Sequence, residues 1–135
     1  MSSRVIYPLQ RSGNLLFLRA SVRGVGDSSL RIRLLLDTGA SYTTIPLKML
    51  EDLGYSANRA SIQIPIMTAG GMNRAPRLIV TSFDCLGEHF TDFGVIGLDL
   101  PFSPLMSGLL GMDFLSRVGA TIDIQKAEIA MTRSQ

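Results

Sequence analysis

The sequence predicts an all-β domain with one or two short helices. Apolar and β-branched residues recur in short runs, and clusters of turn-forming residues separate these runs, which is the pattern of a β-barrel or sandwich. Hydrophobic residues make up 46% of the chain, which is enough material for a packed core. No linker divides the 135 residues, so we expect a single domain spanning residues 1–135.

Several segments have the length and composition of strands. Most are rich in leucine, β-branched or aromatic residues and are bounded by glycine, proline or polar residues. Residues 30–36 end in three consecutive leucines, as expected of a strand that is buried on both faces there. Pro65 places its own segment at a sheet edge or in a projecting hairpin. The predicted strands are residues 15–22, 30–36, 42–45, 62–67, 77–80, 83–86, 89–95, 121–124 and 128–131.

The connections between these strands are mostly glycine-bearing turns. Residues 68–73 predict a mobile turn at the tip of a hairpin that spans residues 62–80, and residues 87–88 turn the next hairpin. Residues 98–106 contain two prolines and predict a loop. A buried apolar run between glycines follows at residues 108–111.

Two short helices interrupt the strands. Pro46 suits the first turn of one helix, whose leucines fall on one face and which Gly54 ends. Residues 112–118 predict the second helix, with Gly119 after it. Asp113 is placed to cap the start of this second helix.

The composition argues against several classes of function. The formal charge is +2 and the basic residues are scattered, so no nucleic-acid footprint is expected. Cys85 and His89 are the only residues of their types, which leaves no transition-metal cluster; we expect a buried Cys85 and a surface His89. No apolar stretch reaches the roughly 18 residues of a membrane span, and the start lacks the core of a signal peptide. A soluble cytoplasmic protein is expected, with a periplasmic or membrane-tethered parent left open.

The triplet Asp37-Thr38-Gly39 carries the chemistry. A buried strand leads directly into a carboxylate, a hydroxyl and a residue without a side chain, so another backbone or a substrate can approach Asp37 closely. An aspartic protease presents its carboxylate in this way, and its chemistry needs two carboxylates that share a proton. The chain contains one such triplet, so the second Asp37 would come from a second copy of the chain.

Three motifs in this order resemble the single-domain, retroviral-like (retropepsin-type) aspartic proteases. They are Asp37-Thr38-Gly39-Ala40, the hairpin residues Thr68-Ala69-Gly70-Gly71, and Leu109-Leu110-Gly111-Met112-Asp113-Phe114-Leu115. The residue sequences of the first and third motifs look closest to those of the bacterial branch of that family. The resemblance covers roughly residues 12–131, nearly the whole chain.

The resemblance implies a closed β-barrel-like acid protease fold with one half-unit per chain. It implies a homodimer that hydrolyses a peptide or protein substrate without metal or cofactor, under a flap formed by residues 62–80. The catalytic residues on this interpretation are Asp37, Thr38 and Gly39. The substrate-binding residues are Ala40, Ser41, Met67, Thr68, Ala69, Gly70, Gly71 and Met72, and structural support comes from Leu110 and Gly111.

Two positions depart from the retroviral pattern. The position of Ser41 usually holds an aspartate, and that of Met112 usually holds an arginine that pairs with it. Both charges are absent together, so no buried ion is left unpaired. Two other functions stay open: a catalytically silent protease-like domain that binds peptide or dimerises, and an ordinary β-barrel interaction domain without a cleft.

Overall fold

The computed structural model describes residues 2–59, 62–68, 70–99 and 108–134, which form strands and two short helices. The strands are β1 (Ser2–Pro8), β2 (Gln10–Ser12), β3 (Leu15–Arg23), β4 (Ser29–Leu36), β5 (Thr44–Ile45), β6 (Ile62–Thr68), β7 (Gly71–Cys85), β8 (Glu88–Gly97), β9 (Gly108–Leu110), β10 (Thr121–Asp123) and β11 (Glu128–Ser134). The helices are α1 (Leu47–Asp52) and α2 (Met112–Arg117), and a 3₁₀ turn covers Ala57–Arg59.

Six strands close into a barrel in the order β3-β4-β9-β5-β8-β7. Antiparallel pairing of β7 with β3, which sets Ala20 opposite Cys85, completes the circle. Closure removes the free edges that an open sheet would expose. The predicted all-β barrel with two short helices is therefore confirmed.

The barrel interior is filled by side chains that alternate along each strand. Val22, Leu34 and Val80 are fully buried, while their neighbours along the strands point outward. Phe83 stacks on Phe93 with ring centroids 4.8 Å apart and meets Phe114 of α2 edge-on at 5.9 Å. These aromatic contacts fix α2 against the barrel, immediately after β9.

Strands β4 and β9 pair in parallel at the centre of the molecule. Leu34 lies opposite Gly108 and Leu36 opposite Leu110. Both strands belong to the barrel wall, so their ends are held on two sides. The residues that follow them, Asp37 and Gly111, consequently leave the barrel next to each other.

The hairpin of β6 and β7 projects from the barrel. Its strands pair from Ile62 opposite Arg77 to Thr68 opposite Gly71, so the turn is shorter than the predicted residues 68–73. β7 begins to pair with β8 at Arg77. The projecting part is therefore residues 62–76, and residues 77–80 of the predicted flap belong to the barrel wall.

β7 is one continuous strand where the sequence predicted two, at residues 77–80 and 83–86. Thr81 and Ser82 have the composition of a break, but Ser82 pairs with Thr91 of β8 and is buried. The backbone N–H of Thr81 donates to the Tyr55 hydroxyl at 2.9 Å. Tertiary partners outside the segment thus override its local preference.

A second sheet of three strands, in the order β1-β11-β10, brings the two ends of the described chain together. Ser2 lies opposite Ser134, and Val5 lies opposite the buried Met131. β10 and β11 match the predicted hairpin. β1 was not predicted, because its partner lies at the other end of the sequence and its polar start gives little local signal.

The remaining predictions concern single residues and one loop. Cys85 is buried, and this burial raises the pKa of its thiol, so the sulfur stays protonated. His89 is exposed on β8 with Nδ1 2.5 Å from Asp84 Oδ1. Of the predicted loop at residues 98–106, only Leu98 and Asp99 lie within the described residues. Neither α1 nor α2 is long enough to cross a membrane, and no other α-helix occurs in the described ranges.

Phe83→Ala should destabilise the protein by about 3–5 kcal/mol, because it empties a fully buried site and removes both aromatic contacts. The free energy of unfolding from denaturant titration measures this loss. Phe83→Leu keeps most of the side-chain volume and should lose clearly less. A loss below about 1 kcal/mol for the alanine variant would contradict the described core.

Candidate active site

The loop after β4 presents Asp37 at the end of the barrel wall. The Asp37 N–H donates to the Leu110 carbonyl at 3.0 Å, and the Ala40 N–H donates back to the Asp37 carbonyl at 3.2 Å. The Gly39 N–H donates to Asp37 Oδ1 at 2.9 Å, which orients the carboxylate. Asp37 is half-buried, whereas Thr38 and Gly39 are exposed. The loop thus presents an oriented carboxylate next to backbone that carries no side chain at Gly39.

The turn between β9 and α2 lies directly beneath this loop. The N–H of Met112 donates to the Ala40 carbonyl at 2.8 Å, and the N–H of Asp113 donates to the Ser41 carbonyl at 3.2 Å. A Cβ on Gly111 would stand 2.6 Å from the carbonyl carbon of Tyr42. Since a backbone atom cannot move aside like a side-chain end, only glycine fits between the two segments.

Thr43 and Asp113 tie the far end of the loop to α2. The Thr43 N–H donates to Asp113 Oδ2 at 2.9 Å, and the Thr43 hydroxyl donates to Asp113 Oδ1 at 2.8 Å. The Gly111 N–H donates to Thr43 Oγ1 at 3.2 Å. The prediction that Asp113 is the N-cap of α2 is wrong, because Gly111 holds that position. The Asp113 carboxylate lies within the first turn, where it accepts from the Phe114 N–H at 2.8 Å as well as from Thr43.

A cleft of about 510 Å³ lies beside the Asp37 carboxylate, between the loop and the projecting hairpin. Among the described residues that line it, Asp37 is the only charged one, and aliphatic side chains predominate on the hairpin side. The lining residues are Asp37, Gly39, Ala40, Ser41, Tyr42, Thr44, Pro65, Ile66, Met67, Leu98 and Leu109.

Five of the residues predicted for the site line this cleft. They are Asp37, Gly39, Ala40, Ser41 and Met67. Thr38 lies at the exposed tip of the loop and does not line the cleft of the single protomer. Leu110 is fully buried and accepts the hydrogen bond from Asp37, while Gly111 lies under the loop.

The other predicted residues lie at the end of the hairpin. Met72 is directly opposite Met67, and the two side chains are 62% and 70% exposed, so most of this apolar surface faces away from the protomer. Thr68 pairs with Gly71, and Gly70 lies in the turn. Ala69 lies outside the described residues.

Six residues of the cleft wall were not predicted from the sequence. They are Tyr42, Thr44, Pro65, Ile66, Leu98 and Leu109. Strand alternation offered a signal for Leu109, because Leu110 beside it points into the barrel and Leu109 must therefore point out. Tyr42, Thr44, Pro65 and Ile66 are close in sequence to residues that were predicted. Leu98 carries no local signal, since only the fold brings β8 to the cleft.

A sequence profile of the aspartyl protease family matches residues 19–114. The chain belongs to the aspartyl protease family. The matched range contains the Asp37 loop, the projecting hairpin and the β9–α2 turn as far as Phe114. The retropepsin-like resemblance inferred from the motifs is thereby supported by a profile that covers most of the barrel. No curated protein matched the chain.

Two solved structures share the fold of this family member. A retropepsin-like aspartic protease from Rickettsia conorii superposes with a TM-score of 0.71 at 24% identity, covering 98% of this chain and 92% of that one. The retroviral protease-like domain of Ddi1 from Leishmania major superposes with a TM-score of 0.58 at 16% identity, covering 84% and 85%. The retropepsin-like architecture expected from the sequence is therefore confirmed.

Gly111→Ala should destabilise the protein by about 1–3 kcal/mol, because its Cβ would overlap the backbone of Tyr42 and push the Asp37 loop away from β9. Gly26→Ala is the matched control, since its Cβ would meet nothing within 4 Å. Denaturant unfolding of both variants compares the two sites. Equal stabilities would show that the loop does not lie as close to the β9–α2 turn as described.

Proposed function

We propose that this protein is an aspartic endopeptidase that works as a homodimer. Each protomer contributes one Asp37 carboxylate, and the pair activates the water that hydrolyses a peptide bond. The observation that carries the proposal is the oriented, half-buried Asp37 at the rim of a cleft, in a chain that contains one Asp-Thr-Gly loop. Family membership supports the same chemistry.

The chemistry requires two such carboxylates face to face. Two negatively charged carboxylates in direct contact would repel each other strongly, so the pair retains one proton between them. The ionised carboxylate accepts a proton from a water lying between the two, and that water attacks the peptide carbonyl carbon. The protonated carboxylate donates its proton to the carbonyl oxygen, which gives a tetrahedral gem-diol. The other carboxylate then passes the proton it took from water to the amide nitrogen and takes one back from a hydroxyl of the gem-diol, and the C–N bond breaks. One residue type thus supplies both the base and the acid.

The exposed surfaces of the protomer fit the remaining roles. The Thr38 hydroxyl stands at the exposed loop tip, where it can bond to the partner's loop across the two-fold axis. Gly39 leaves room for the substrate backbone. Met67 and Met72 provide adaptable apolar cover when the hairpin closes over a bound peptide. Because the described cleft wall is uncharged apart from Asp37, we expect uncharged substrate side chains near the scissile bond.

A catalytically silent, peptide-binding domain is the second candidate. Its support is that Ser41 and Met112 replace the aspartate and arginine that retroviral enzymes carry at these positions. This replacement removes one family substrate contact. The intact Asp37-Thr38-Gly39 triplet favours the enzyme, since binding alone does not need the acid. Mass in solution is a first discriminator: a strict monomer at high concentration would eliminate the shared site.

Asp37→Asn should abolish peptide cleavage and leave fold and dimer intact, because the amide has nearly the same shape but cannot act as acid or base. Asp92→Asn is the matched control, since Asp92 is exposed with φ 52° and asparagine tolerates that conformation. Cleavage of a peptide library by the purified variants measures the effect. Turnover near the parent level in Asp37→Asn would refute the mechanism.

Mixing the parent protein with the Asp37→Asn variant tests the shared site directly. Because both carboxylates of a dimer are needed, activity should fall with the square of the parent fraction once subunits exchange. The same mixture with Asp92→Asn should show no loss. A linear fall with Asp37→Asn would indicate that each protomer carries a complete site.

Activity should be highest below neutral pH. Raising the pH removes the proton that the two carboxylates share, and the acid that protonates the carbonyl oxygen is then lost. A pH–rate profile with a single peptide substrate measures this dependence, with circular dichroism confirming the fold at each pH. A rate that still rises beyond about pH 8 would be incompatible with a shared proton.

A further inference from the structure

We infer that Thr43 and Asp113 are positioning residues for the proposed reaction, holding the Asp37 loop so that its carboxylate meets that of the partner protomer. The inference rests on the proposed function and goes beyond it, because neither residue lines the reacting centre as a catalytic group. Their hydrogen bonds connect the loop, the glycine turn and α2. We therefore expect substitutions of Thr43 and Asp113 to lower kcat more than they lower stability or weaken substrate binding.

Every polar group in the Thr43–Asp113 cluster has a hydrogen-bond partner. The Thr43 hydroxyl donates to Asp113 and accepts from the Gly111 N–H, so it bridges two segments. The Asp113 carboxylate accepts from the Thr43 N–H, the Thr43 hydroxyl and the Phe114 N–H. Thr43 is fully buried, so water cannot replace a lost bond. A fully satisfied buried network fixes one geometry.

The Thr43–Asp113 cluster holds the far end of the Asp37 loop. At its start the loop is fixed through the Asp37 N–H, which donates to the Leu110 carbonyl. Between the two ends, Thr38, Gly39 and Ser41 are exposed and have no side chain packed in the core. At its other end, the Thr43 carbonyl accepts from the Ile96 N–H of β8 while the side chain bonds Asp113. Releasing the Thr43 side chain would leave this end of the loop held by backbone bonds alone, which run from Met112 to Ala40, from Asp113 to Ser41 and from Ile96 to Thr43.

Apolar packing alone would not need the polar groups of Thr43 and Asp113. A valine at position 43 has nearly the same shape and would fill the same space without a buried hydroxyl. Buried polar groups often contribute little net stability compared with well-packed apolar residues. Their value is geometric, and catalysis is sensitive to geometry, since a displacement of about 1 Å can cost on the order of 100-fold in rate.

Paired substitutions separate positioning from stability. Thr43→Val removes the hydroxyl and leaves the Gly111 N–H without its acceptor. Thr43→Ser keeps the hydroxyl and removes only a methyl group. Asp113→Asn leaves at least one donor without its acceptor in either amide orientation. The Thr43 N–H loses its acceptor if the amide oxygen replaces Oδ1, and the Phe114 N–H and the Thr43 hydroxyl both lose theirs if it replaces Oδ2.

Tyr55→Phe is the matched control for losing a structural hydroxyl. The Tyr55 hydroxyl donates to the Arg23 carbonyl at 2.6 Å and accepts from the Thr81 N–H at 2.9 Å. Arg23 pairs with Ser29 at the start of β4, whereas Asp37 follows the end of that strand, so this cluster lies at the opposite end of the barrel. Its loss should lower stability without changing kcat per dimer.

The measurement is kcat and KM for one peptide, with the active dimer concentration taken from titration with a tight-binding transition-state analogue. Thr43→Val and Asp113→Asn should lower kcat about 10- to 100-fold with KM within about twofold. Thr43→Ser should restore most of kcat. In Thr43→Val, hydrogen exchange of the Gly111 amide should speed up while amides in β7 and β8 stay protected.

Two results would overturn the inference while the proposed function stands. One is a parent-like kcat in Thr43→Val, with the lost activity explained by fewer folded dimers. The other is an equal loss of kcat in Thr43→Val and Thr43→Ser, which would assign the effect to packing. If the parent protein and Asp37→Asn both fail to cleave any peptide, the proposed function itself is wrong.

Discussion

The close approach of the β9–α2 turn to the Asp37 loop is the constraint on which the site depends. Parallel pairing places the ends of β4 and β9 side by side, and the turn then passes under the loop at a distance that only Gly111 allows. Two backbone bonds and the Thr43–Asp113 cluster hold the segments together. The shape of the loop is therefore set by a segment distant in sequence rather than by its own residues.

The cleft lies between a rigid part of the protein and a less constrained part. The floor is built on barrel strands with neighbours on both sides, and the aromatic cluster around Phe83 holds α2 in place beneath it. The roof is the projecting part of β6 and β7, whose strands pair with each other and end in exposed Met67 and Met72. This division fits the proposed peptidase, in which the carboxylates must stay fixed while the hairpin opens and closes over a peptide.

Local patterns in the sequence identified most of the barrel and placed Asp37 at the end of a buried strand. The apolar run before Asp37 signalled a buried strand, and Gly54 and Gly119 follow the helices as expected. Patterns failed where distant residues decide the outcome. β1 depends on β11, the continuity of β7 depends on β8 and Tyr55, and the role of Asp113 depends on Thr43. Asp113 looked like a helix cap because acidic residues are common at helix N-termini. In the structure, the N–H and the hydroxyl of the buried Thr43 both donate to its carboxylate.

The sequence separation inside the Thr43–Asp113 cluster has a consequence for biosynthesis. The two residues are 70 positions apart, and Gly111 is 68 positions from Thr43, so the support of the reactive loop is made long after the loop itself. Contacts of such range form late, because a long chain segment must first be ordered. A nascent chain that has emerged only through the Asp37 loop therefore lacks the floor of its own site. The proposed site is therefore complete only once Asp113 has been synthesised and has packed against Thr43.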